Sequence, residues 1–206
     1  SPVSLIARRD ANIRYFNDLK GKRVNCGKFN TQEHLIFKQL MGLKNCQETD
    51  FSMFQNLPAS HSQNSLALKS GSVQAMIHVG MHPDGSLQRL IEQDDMTLVP
   101  LLDEDIHQLI EERVGFSKCK IAAGTYPGLT EEIITLAMET LLISSATTDS
   151  SIINLVLGAL HNSRQQLRHA HSSLLQQHTT VSTLNESYLH PHPSALLFFQ
   201  STRSLY

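Results

Sequence analysis

Eleven histidines and three cysteines in 206 residues raise first the question of a metal centre. Zinc needs its ligand atoms about 2 Å from one ion, usually supplied by pairs at short, fixed spacing. Cys26, Cys46 and Cys119 form no CxxC pair, so neither a zinc ribbon nor a dithiol redox motif is on offer, and no pairing among them can be chosen. His161, His169, His171 and His178 lie on or beside expected helices, yet His171 and His178 are about 10 Å apart at a rise of about 1.5 Å per residue. His190 and His192 could point the same way on an extended stretch, with no third ligand adjacent. The histidines therefore read as exposed or hydrogen-bonded imidazoles, and no metal or other cofactor is expected. Residues 21–28 approach a phosphate loop, but five residues rather than four separate Gly21 from Gly27, and Phe29 replaces the magnesium-binding Ser or Thr. GxSxG, HExxH and GxGxxG are absent. With no assembled nucleophile, base or metal, catalysis is not expected.

What the sequence does offer is a pair of loops. Asn30, Thr31, Gln32 and Glu33 open a helix directly after a strand and a glycine, where unsatisfied backbone N–H groups can hold a carboxylate. The ordinary alternative is a capping box, with Asn30 as cap and Glu33 reaching back, and the charge of Glu33 would compete with a bound anion. Residues 80–85, with Gly80 and His82, form the second loop.

These loops need a scaffold, and the hydropathy pattern supplies one. Short apolar runs at residues 3–7, 23–26, 51–54, 75–79 and 97–101 read as strands. Between them, residues 31–41 (stopped by Gly42), 62–70 and 86–93 read as helices, and an acid-led helix follows to about Arg113. Strands alternating with such helices indicate an α/β fold, a doubly wound parallel sheet whose ligands bind at the carboxyl ends of the strands. Past Lys118 the pattern changes: residues 119–126 read as an extended crossing and 133–143 as a long apolar strand or strand pair. Thr148 and Asp149 read as a cap, and Ile152, Ile153, Val156, Leu157 and Leu160 keep helical spacing, as do Leu167, Ala170, Leu174 and Leu175. A Ser- and Thr-rich linker at 178–187 precedes a short helix around 195–199, so this last third is mostly helical.

Composition narrows the partners. A net charge of -2, from 17 Lys+Arg and 19 Asp+Glu without a basic block, lacks the electrostatic footprint of a nucleic-acid binder. No run of about 18 apolar residues occurs, and the start Ser1-Pro2-Val3 has no basic signal-peptide region. Any export or anchoring segment is expected to lie outside this chain.

Four stretches then carry a resemblance: DLKGKRVNCG (18–27), LKSGSVQAMIHVGMHP (68–83), AAGTYPGLTEEI (122–133) and LHPHPSALLFF (189–199), in that order. Together they resemble the TAXI group of extracytoplasmic solute receptors that serve TRAP-type transporters, from Pro2 to about Gln200. The resemblance implies a periplasmic binding protein whose two α/β lobes close on a small organic anion, such as a dicarboxylate or acidic amino acid. It implies about a hundred further residues before Ser1, one complete lobe at 12–115, and crossing segments plus the C-terminal part of a second lobe at 1–11 and 116–206. Some relatives continue into a membrane anchor. The chain departs from the family at Thr31-Gln32-Glu33, where Ser-Gly-Thr is usual, at Gln74, where an Asp is usual, and at Ser194, where a Gly is usual. The expected ligand contacts are Asn30, Thr31, Gln32, Gly80 and His82, with Tyr126 at the crossing. The expected partners are the TRAP membrane subunits. A sensory or interaction domain that has lost transport is the alternative. Residues 133–143 and the stripe starting at Ile152 are expected to be hidden against a second copy, giving a homodimer.

Overall fold

The computed structural model describes residues 1–55, 61–113, 115–170 and 189–202. The chain divides into two compact units, Ser1–Glu139 and Thr140–Tyr206.

In the first unit, five strands pair in the order β3-β2-β4-β1-β5: β1 (Val3–Arg8), β2 (Arg23–Asn25), β3 (Met53–Gln55), β4 (Ala75–Val79) and β5 (Met96–Val99). Strand β2 runs parallel to β3 and β4, whereas β1 runs antiparallel to both β4 and β5. The sheet is thus parallel-rich, with one reversed strand inside it. A five-residue apolar run carries no direction of its own; the reversal comes from partners far along the chain.

Residues of β1 alternate between two cores. Val3, Leu5 and Ala7 join the cluster containing Ile36, Phe37 and Leu40 of α1 (Gln32–Leu43) and Ile106 and Leu109 of α4 (Glu104–Glu112). Ile6 joins Leu68 of α2 (His61–Lys69) and Leu87 and Leu90 of α3 (Gly85–Gln93). Because side chains alternate across a strand, helices cover both faces, and the doubly wound α/β layering expected from the alternation is what forms. Helix α1 runs through Gly42, the expected stop, to Leu43; the chain turns at Asn45, whose φ is 49°. Lys44, at the end of α1, lies 2.6 Å from carboxylates of both Asp103 and Asp105, tying α1 to the start of α4. Burial opposes the charge of Lys44, but the two aspartates outweigh it and hold its pKa above the ordinary lysine value.

Strands β6 (Phe116–Ile121) and β7 (Ile133–Met138) form an antiparallel pair beside the chain start, where Pro2 bridges Ala137. Strand β6 begins before the expected crossing segment. Strand β7 stops at Met138 because its partner ends at Phe116, after Gly115 with φ 93°. The second unit holds α5 (Ser150–Asn162), capped by Asp149, then α6 (Arg164–Ala170) and α7 (Pro193–Thr202). Leu174, Leu175 and the 178–187 linker fall outside the described residues.

Candidate ligand-binding site

Strands β2 and β4 are parallel neighbours, with Val24 opposite Ala75, so the loops leaving their carboxyl ends emerge at one edge of the sheet. This is where an α/β sheet presents ligand loops.

The first loop folds tightly onto α1. Gly27 has φ 87°, and a Cβ there would lie 2.6 Å from the Glu33 Cβ, so only glycine lets the end of β2 pass this close to the first helical turn. Asn30 takes the left-handed conformation, φ 62°, and turns the chain into the helix. The cap is therefore Thr31 rather than Asn30. Its hydroxyl donates to Lys28 O at 2.8 Å and accepts from His34 N at 3.5 Å. Asn30 and Gln32 are exposed and Thr31 is half-buried. The Gln32 amide reaches Met138 Sδ at 3.6 Å. His34 is buried, with its ring 4.9 Å from that of Phe29, and its Nδ1 has no hydrogen-bond partner among the described residues. His34 was legible as a core position, since it shares helical spacing with Phe37 and Met41.

The second loop is braced rather than open. Gly80 donates its N–H to Pro2 O at 3.1 Å, and the His82–Pro83 peptide is cis. Asp84 caps α3 through Ser86 N and Leu87 N, both at 2.9 Å. The phenol of Tyr126, fully buried, accepts the Asp84 N–H at 2.9 Å and lies 2.6 Å from His82 Nδ1. The other ring nitrogen, His82 Nε2, lies 2.8 Å from Ser4 Oγ, so the imidazole bridges the phenol and the serine hydroxyl. Burial, assisted by His78, lowers the His82 pKa to about 4 against the opposing pull of Asp84. Burial pushes the Tyr126 phenol up to about 12. Both groups are neutral at pH 7. Ser4 was missed by the sequence reading, although a lone hydroxyl in the apolar strand VSLIAR was a visible signal.

His82 and Tyr126 are thus brought into one hydrogen-bonded cluster with Ser4 and Asp84, Gly80 bonds Pro2 instead, and Asn30, Thr31 and Gln32 stand on the neighbouring loop. The model of the NMT1-like family matches residues 1–201. The chain belongs to the NMT1-like family. Among solved structures, the alkanesulfonate-binding protein SsuA from Xanthomonas axonopodis pv. citri, bound to MOPS, is similar at 17% identity and TM-score 0.46, over 96% of this chain and 53% of that one. The aliphatic sulphonate-binding SsuA of Escherichia coli is similar at 16% and 0.48, over 97% and 51%. The probable amino-acid ABC transporter binding protein ytmK of Bacillus subtilis is similar at 14% and 0.43, over 86% and 61%. The chain spans about half the length of the SsuA structures it matches.

Elsewhere this NMT1-like chain offers little competing chemistry. A shallow depression of about 170 Å3, lined by Arg9, Ile91, Leu98, Leu129 and Ile133 among others, includes none of the six expected contact residues. Among the described residues no three His, Cys, Asp or Glu side chains are grouped to hold a metal. His192 is a hydrogen-bonding histidine, with Nε2 donating to Thr148 O at 3.1 Å and Nδ1 accepting from Ser194 N at 3.2 Å. The three cysteines are free thiols, and burial raises each, Cys26 to about 12. No described helix is long and apolar enough to cross a membrane.

Proposed function

We propose that this NMT1-like chain is part of an extracytoplasmic solute-binding protein that captures a small organic anion for a TRAP-type transporter, as the TAXI receptors do. The single observation that carries the reading is the convergence of two loops at one sheet edge, one of them opening the twelve-residue helix α1. Backbone N–H groups at that helix start, with the positive end of its dipole, suit a carboxylate or sulfonate. In this reading Asn30, Thr31 and Gln32 make the contacts, Gly80 and His82 shape the adjacent wall, and the buried Tyr126 holds that wall in place. The protein acts by binding and release rather than by catalysis. A receptor of this kind encloses its ligand between two faces. The 206-residue chain is therefore expected to bind organic anions more weakly than micromolar.

Glu33 sits in the first turn of α1, where its carboxylate competes for the same positive end. Titration of glutarate, glutamate and ethanesulfonate, followed by amide chemical shifts, should move the amides of residues 31–34. Glu33→Gln should tighten binding by about two- to fivefold, the range of one charge at a helix start. Shifts confined to other residues, or weaker binding by Glu33→Gln, would reject the placement. Micromolar affinity would reject the need for a second face.

A further inference from the structure

The third residue of a helix is where a capping box turns its side chain back to the cap, and in α1 that residue is His34. Helical side chains lean toward the N-terminus, and the His34 ring does so, meeting the ring of Phe29, two residues ahead of the Thr31 cap, at 4.9 Å. The group a capping box would offer to Nδ1, the Thr31 N–H, already donates to Lys28 O at 3.0 Å. Nδ1 is therefore buried at the helix start with no hydrogen-bond partner among the described residues, on a residue only 7% exposed. A polar atom left this way costs free energy until something meets it. In the same turn the N–H groups of Gln32 and Glu33 also have no acceptor among the described residues, and His34 N–H makes only a long bond to Thr31 Oγ1, 3.5 Å.

We propose that His34 is a specificity-determining residue of the α1 site, its Nδ1 donating to the carboxylate or sulfonate of the ligand beside the N–H groups of Gln32 and Glu33. The proposal rests on the anion-binding function proposed above and adds a side chain to what was there a backbone site. An imidazole can carry its proton on either nitrogen, and an anion in this turn draws it to Nδ1. Phe29 is the side chain that covers the ring. It is 66% exposed, so turning outward to admit a ligand gives up little burial. Three donors aimed at one point select a full anion. The corresponding amide brings N–H groups of its own against them, leaves buried donors unmet, and is rejected.

Titration of glutarate at pH 7.5 into the 206-residue chain labelled with 15N-histidine should move the His34 Nδ1 signal toward that of a protonated nitrogen, and glutaramide should leave it in place. His34→Leu should weaken glutarate binding about tenfold, the worth of one hydrogen bond to a charged group. It should do so without lowering the unfolding temperature, because an unmet buried polar atom is removed with the ring. His34→Asn, whose amide nitrogen stands where Nδ1 does, should stay within about threefold of the parent chain. Phe29→Ala, which uncovers the ring, should bind at least as tightly. The Nδ1 signal is read on the unaltered chain, so it decides even where a variant fails to fold. If the amides of residues 31–34 shift while Nδ1 does not, or if His34→Leu binds as the parent does, or if Phe29→Ala binds more weakly, the role given to His34 is overturned and the α1 site stands. If those amides also stay in place, both fall.

Discussion

A neutral imidazole offers one donor and one acceptor, and His82 uses one ring nitrogen toward Tyr126 and the other toward Ser4. His82 has its pKa lowered from 6.5 to about 4 in the folded chain, so between those values the unfolded chain binds more protons. The stability this neutral histidine contributes is complete above about pH 6.5 and is lost as pH falls toward 4, in total about 3 kcal/mol. Urea unfolding at pH 7.5 and 4.5 checks this, and His82→Gln should flatten that part of the pH dependence. Tyr126→Phe strips the partner from both Asp84 N–H and His82 Nδ1. It should cost about 1–3 kcal/mol in the same assay at pH 7.5. At this scale the sequence was partly legible. Asn30 and Thr31 both suit a cap, and only the left-handed turn at Asn30 passes the role to Thr31. Tyr126 was expected to touch ligand. It is buried, and its hydroxyl meets His82, 44 positions away in the sequence, a distance no local pattern encodes.

Elements that depend on local spacing were easy to read. Strand β4 has the expected bounds, and α3, α4 and α5 begin one residue after Asp84, Asp103 and Asp149, each a side-chain cap. Elements that depend on a distant partner were not. Hydropathy runs on through Leu141, Leu142 and Ile143, yet β7 ends at Met138, opposite the start of β6 at Phe116, with Glu139 N–H closing the pair on Gly115 O at 2.8 Å. The polar β6, with Lys118 and Lys120 exposed, exists because β7 pairs with it. Gly158 shows the reverse case, an element carrying a residue it does not need. It lies inside α5, and a Cβ there would meet nothing within 4 Å. Gly158→Ala should therefore raise stability by about 0.5–1 kcal/mol, measured by thermal unfolding at a concentration where the chain is monomeric.

Among the described residues both hydrophobic clusters lie within residues 3–138, and in the second unit only Ser194 is buried. A chain ending at Glu139 should unfold in one transition, with its free energy changed by no more than about 1 kcal/mol, the scale of surface alterations. Two successive transitions in the full chain, the larger of them lost on truncation, would contradict this. The α/β class was legible because alternation of strand and helix is written along the chain. The reversal of β1 was not, because Leu5 pairs with Ile77 on one side and Val99 on the other. That placement has a consequence for the order of assembly. Strand β1 is flanked on both sides by strands synthesised some 70 and 90 residues later. Until then its two partners in this sheet are unmade, and neighbours such as β2 and β3 can pair first. Contacts of such long range slow folding. A newly made chain thus passes through an interval in which VSLIA is bare and open to a chaperone or an export factor, and that interval closes only when β5 is complete.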